Sequence, residues 1–176
     1  PGTTQGDKLT ARDVTYIRFS IASLDAAPHE VQIYTDVTAE LVTDSNSIPV
    51  FFNSTTPSTS PTILHMGASS PQPITSIGSA DRVHYGSMYF SSSSPAASFS
   101  ASLATDARIK FTVDGTLPPS STLQNATVAD GDPVLAIVTS FNLQAEQSSQ
   151  SATLVLAQSL PVAIEYFGQS YPPLWT

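Results

Sequence analysis

Residues 29–42, HEVQIYTDVTAELV, alternate apolar and polar side chains along the stretch. Val31, Ile33, Val37 and Leu41 share one parity, while Glu30, Gln32, Tyr34, Asp36, Thr38 and Glu40 share the other. Successive side chains of a strand point to opposite faces, so a period of two describes a strand with one face in a core and the other towards water or a partner. The expectation is a strand carried through all fourteen residues, with Leu41 inside and Glu40 outside.

The same period recurs along the chain between Pro, Ser and Gly punctuation. VTYIRFSIA (14–22), IPVFF (48–52), TILHM (62–66), YGSMYFS from Tyr85, FSASLAT (99–105), ARIKFTV (107–113), ATLVLAQ (152–158) and VAIEYF (162–167) read as further strands. In ARIKFTV, Ile109, Phe111 and Val113 alternate with Arg108, Lys110 and Thr112. PVLAIVTSFNL (133–143) reads as a strand buried on both faces. Leu143–Gln150 is the one helical candidate, and its polar composition favours a loop. About ten short strands, little or no helix and no fixed-period repeat predict an all-β fold, an antiparallel two-sheet β-sandwich of jelly-roll-like kind. At 176 residues the chain fits one domain, 1–176. Surface scaling buries close to 70 % of a chain this size, so the core needs no disulfide or metal, in keeping with the absence of Cys.

Charge narrows the function classes. Six Lys and Arg stand against 14 Asp and Glu, a net charge of −8. Such a chain repels phosphate backbones and anionic lipid, so nucleic acid and membrane surfaces are not expected partners. Only 11 % of residues are charged, and Ser, Thr, Asn and Gln supply the remaining polarity, a balance that suits a secreted protein. No apolar run reaches the ~20 residues of a membrane span. A start at Pro1 without an initiator Met or signal-like segment reads as a processed product. The sequons at Asn53 and Asn125 would be glycosylation sites in a secretory route.

Reaction chemistry is sparse. His29, His65 and His84 have no metal-ligand spacing, and neither a metal nor a cofactor is expected. Asp36 and Glu40, four residues apart on one strand face, would be roughly 13 Å apart; that exceeds the ~5 to 9.5 Å of glycosidase carboxylate pairs. Asp130-Gly131-Asp132 lacks the EF-hand spacing and reads as a turn. No nucleophile elbow, phosphate loop or dinucleotide fingerprint is present. An independent hydrolase would need a carboxylate pair or a Ser/His/Asp cluster assembled in space. Tyr34, Tyr85, Tyr89, Tyr166, Tyr171 and Trp175 could offer stacking surfaces to a sugar. The expected carbohydrate site is Asp81, His84, Tyr85 and Tyr89.

Five stretches in order, "DKLTARDVTYIRFSIASLD", "HEVQIYTDVTAELV", "ADRVHYGSMYF", "DGDPVLAIVTSFNL" and "VAIEYFGQSYPPLWT", resemble the non-catalytic β-sandwich region of the fungal glutaminase A family. The resemblance implies a sandwich that precedes a helical domain, with hydrolysis of glutamine to glutamate and ammonia assigned to that helical part. Two functions are therefore expected in competition. One is an accessory sandwich with a structural role, bearing an exposed apolar patch for a helical catalytic domain or upstream fragment of the same precursor. The other is a free-standing fungal lectin, self-sufficient and open to homo-oligomerisation.

Overall fold

The computed structural model describes residues 13–25, 27–56, 58, 61–70, 86–120, 125–144 and 149–173. Among these residues ten strands follow in chain order: β1 (Val14–Ala22), β2 (His29–Thr38), β3 (Val50–Thr55), β4 (Ile63–Ala68), β5 (Ser87–Ser92), β6 (Ala97–Leu103), β7 (Pro133–Leu143), β8 (Ser149–Ser159), β9 (Ile164–Tyr166) and β10 (Gln169–Tyr171). One α-helix among the described residues, α1 (Ala104–Asp114), links β6 towards β7. The strands form a five-stranded sheet in the order β1-β8-β5-β4-β3, a three-stranded sheet β2-β7-β6 and a separate hairpin β9–β10. Every pairing is antiparallel.

Alternation decides which face each residue takes. On the large sheet Phe52, Leu64, Met66, Phe90 and Leu154 point inward; on the small sheet Leu135 and Ile137 meet them. Ile17, Phe19 and Val37 close the margins of this core. Burying such side chains at ~25 cal/mol per Å² of apolar surface is the main force holding the two sheets together.

Three readings of the sequence are corrected. Residues 107–113 are not a strand: they lie in α1, which begins at Ala104 and ends where Gly115 adopts φ 71° and donates its N–H to the Phe111 carbonyl. The strand expected at 99–105 accordingly runs 97–103. The reason is tertiary. β7 sits in the middle of the small sheet, and its outward residues Val134 and Ala136 are apolar, so something must cover them. Ala104 and Ala107, one turn apart and small enough for close approach, pack there beside Tyr34 and Leu117. Thus β7 is buried on both faces from Pro133 to Thr139, because a helix lies over the side away from the core, whereas Ser140 and Asn142, which the composition also placed in a doubly buried strand, are exposed.

The second correction concerns residues 39–42. Strand β2 stops at Thr38, and Ala39–Leu41 form a 3-10 turn. That turn breaks the parity: Ala39 and Val42 are fully buried, and Leu41 is 44 % exposed. The strand spacing assumed for Asp36 and Glu40 no longer applies. The C-terminal strand is also shorter than expected, at Ile164–Tyr166, and pairs with β10 around a two-residue turn.

Candidate functional site

Asp81, His84 and Tyr85, three of the four residues expected to bind carbohydrate, lie outside the described residues. Tyr89 lies on β5, on the face of the large sheet turned away from the core. Directly across from it on β4 stands His65, and the two rings stack at 4.4 Å with 1° between their planes. Phe51 of β3 meets the other flank of His65 edge-on at 5.0 Å. Gly67 makes room for Phe51: a Cβ there would stand 2.8 Å from its ring. Cross-strand neighbours stack this way because opposed Cβ atoms lie about 5 Å apart. The Nε2 of His65 is buried without a partner among the described residues. Burial also lowers the pKa of the imidazole from its ordinary 6.5. One face of Tyr89 is therefore taken by His65. Of the two sequon residues, Asn53 is exposed on the edge strand β3, and Asn125 is exposed with φ 64°.

A second polar cluster clasps α1 to the small sheet. Arg108 donates from Nε to Asp36 Oδ2 at 2.8 Å and from Nη2 to Oδ1 at 3.2 Å, a bidentate pair. The Tyr34 hydroxyl donates to the same Oδ2 at 2.8 Å, and its ring packs on Phe111 at 5.1 Å. Burial, and then the Asp36 carboxylate, push the Tyr34 phenol above its ordinary pKa of 10.0. Behind them Asp132, with φ 55°, buries its Oδ1 without a partner among the described residues. Burial raises its pKa, and the nearby Glu40 carboxylate adds to the effect. Both Asp36 oxygens are engaged, Oδ2 twice and Oδ1 once, which fits a structural brace.

Ser23, Asp25 and His29 also meet, in the β1–β2 connection. His29 Nε2 lies 2.7 Å from Asp25 Oδ1, and the Ser23 hydroxyl donates to the Asp25 carbonyl at 2.8 Å. Here the aspartate stands between the other two, whereas a hydrolytic triad needs the imidazole between the hydroxyl and the carboxylate. The cluster orders a turn. Among the described residues no group of three or more His, Cys, Asp and Glu could hold a metal ion, and no helix is long and apolar enough to cross a membrane.

The C-terminal hairpin has a different character. Ile164 and Tyr166 share one face of β9, and Tyr171 of β10 lies opposite Ile164 on that same face. These three are 60 %, 61 % and 49 % exposed. Glu165 and Ser170 take the other face. Phe167 and Gly168 form the turn with φ values of 46° and 73°. Left-handed backbone at both positions describes a type I′ turn, where Asn-Gly is the usual choice. A phenylalanine there is strained, and its ring stands 87 % exposed at the tip, edge-on to Tyr166 at 4.4 Å. Nothing in the sequence distinguished these aromatics from core residues: alternation marks an apolar face without saying what covers it.

Over residues 3–176 the chain matches a family described as a domain of unknown function, DUF5127, and it belongs to that family. No curated protein matches it.

Proposed function

We propose that this DUF5127 domain is a non-catalytic β-sandwich module of a secreted fungal glutaminase-like hydrolase, and that its β9–β10 hairpin docks a helical catalytic domain. The observation that carries the reading is the hairpin's apolar face, Ile164, Tyr166 and Tyr171, with Phe167 at its tip. A two-stranded hairpin without a core is marginal in water, and grouped exposed aromatics mark a surface that a partner covers. The strain at Phe167 costs on the order of 1–3 kcal/mol and is kept where the surroundings or the function require it. An accessory role also accords with the braced carboxylate at Asp36 and the miswired Ser23–Asp25–His29 turn. The resemblance of the sequence to the glutaminase A sandwich supplies the identity of the partner.

The test mixes the purified chain with the helical domain of a fungal glutaminase A family protein, expressed as a separate polypeptide. Co-elution on size exclusion is expected for the native chain and lost in the Tyr166→Ser, Phe167→Ser double variant. No ammonia release from glutamine is expected from the chain alone. Failure to associate, or turnover of glutamine by these residues by themselves, would overturn the reading.

A further inference from the structure

Beyond the point where α1 ends, no described residue covers the outer face of the small sheet. Along the helix Arg108 stands over Asp36, Phe111 over Tyr34, and Gly115 against Gln32, so α1 runs antiparallel to β2 and stops at Gln32. Past that stop, Glu30 and Gln32 of β2 and Ser140 and Asn142 of β7 share the exposed face. With Gln150 at the start of β8 they wall a trough of about 620 Å³, and Val31 and Ala96 add apolar surface. Small-molecule sites fall in the range of about 300–1,000 Å³.

The polar groups are held in place. Gln32 Nε2 donates to Ser140 Oγ at 3.3 Å, Gln144 Nε2 to Asn142 Oδ1 at 2.7 Å, and Gln150 Nε2 to the Asn142 carbonyl at 2.7 Å. These bonds leave the Asn142 Nδ2 and the Ser140 hydroxyl as donors, and the Gln150 amide oxygen and the Glu30 carboxylate as acceptors. Fixed amides, one hydroxyl and a single carboxylate, beside small apolar patches, match the alternating hydroxyls and C–H faces of a sugar. A phosphate or carboxylate ligand would meet Glu30 with no cation among the described lining residues to offset it.

We infer that this trough is a binding site for a neutral saccharide, with Glu30 and Gln150 accepting from vicinal hydroxyls and Asn142 and Ser140 donating to ring or hydroxyl oxygens. The inference places carbohydrate recognition away from Tyr89, and it stands apart from the docking reading. Nine residue steps along β8, roughly 30 Å of strand, separate Gln150 from Ser159, after which the chain continues to the hairpin. A domain seated on β9–β10 would leave the trough open.

Cellobiose, maltose, mannobiose and N-acetylglucosamine, titrated into isotope-labelled protein, are the probes, with N-acetyl-lysine amide as a cationic control. At least one sugar should move the side-chain amide signals of Gln32, Asn142 and Gln150 in a saturable way. Asn142→Ala and Gln150→Ala should each weaken that sugar about tenfold, as expected for loss of a hydrogen bond. Glu30→Gln keeps an acceptor and should retain binding, whereas Glu30→Ala should lose it. Because these side chains sit at the surface, melting curves should be unchanged, and Gln150→Ala decides the matter if Asn142→Ala fails to fold. The Tyr166→Ser, Phe167→Ser variant should bind the sugar normally, so the two ideas fail separately. No saturable shift with any sugar, shifts indifferent to the trough variants, or binding of the cation alone would overturn the inference.

Discussion

His65 stands between two aromatic rings with one nitrogen sealed from water and unpartnered among the described residues. Burial favours its neutral form, so its folded pKa is depressed below the unfolded 6.5. A base with a lowered folded pKa binds its proton more tightly when unfolded. Its contribution is therefore intact above pH 6.5 and is lost as pH falls through 6.5 towards the folded value. His65→Phe keeps the stack on Tyr89, removes the orphaned nitrogen and removes this proton linkage. Thermal melts at pH 8 and pH 5 should show the variant at least as stable as the native chain, with a smaller drop at pH 5. An equal or larger drop would mean that His65 is solvated. Asp132 works in the opposite sense: its raised pKa favours folding when it is protonated, and that contribution is lost as pH rises through 3.8 and then the folded value.

At the scale of elements, α1 decides how the small sheet is finished. Its sheet-facing side is Ala104, Ala107 and Phe111, its brace is Arg108 on Asp36, and its stop is Gly115. Ile109 and Val113, one turn apart, are exposed on the opposite side. Gly115 is required twice over. Its φ of 71° disfavours a side chain, and a Cβ there would clash with the Gln32 amide oxygen, the far end of a flexible chain. Gly115→Ala should cost about 1–2 kcal/mol in chemical denaturation, with no change in the denaturant slope. A neutral result would show that the helix end frays without penalty. The signals for this helix were present in Asp106 of its first turn, the Lys110–Asp114 pair and Gly115. The alternation of Ile109, Phe111 and Val113 points instead to a strand, because strand and helix templates both accept so short a run.

For the whole molecule, three layers share one organising element: β7 is central in the small sheet, with the large sheet on one side and α1 on the other. The hairpin lies outside this scheme, since its large apolar side chains are exposed. The Tyr166→Ser, Phe167→Ser double variant should consequently melt within about 2 °C of the native chain, less than the shift that 1 kcal/mol would cause at this size. A drop of many degrees in calorimetry would place the hairpin in the core and remove the case for docking.

The alternation of VTYIRFSIA, HEVQIYTDVT and PVLAIVTSFNL determined their strands, because one buried face imposes a period of two on any strand that borders a core. Local pattern could not determine which strands pair, that Leu41 turns outward after a 3-10 turn, or that residues 104–114 become a helix. Those outcomes depend on surfaces contributed from far along the chain: Val134 and Ala136 need a cover, and Asp36 meets Arg108 across 72 residues. The trough is of the same kind, since Glu30, Asn142 and Gln150 become neighbours only when β2 pairs with β7 in the small sheet and β8 of the large sheet brings Gln150 to their end. Proximity in space is made by tertiary pairing, and a one-dimensional period carries no record of it.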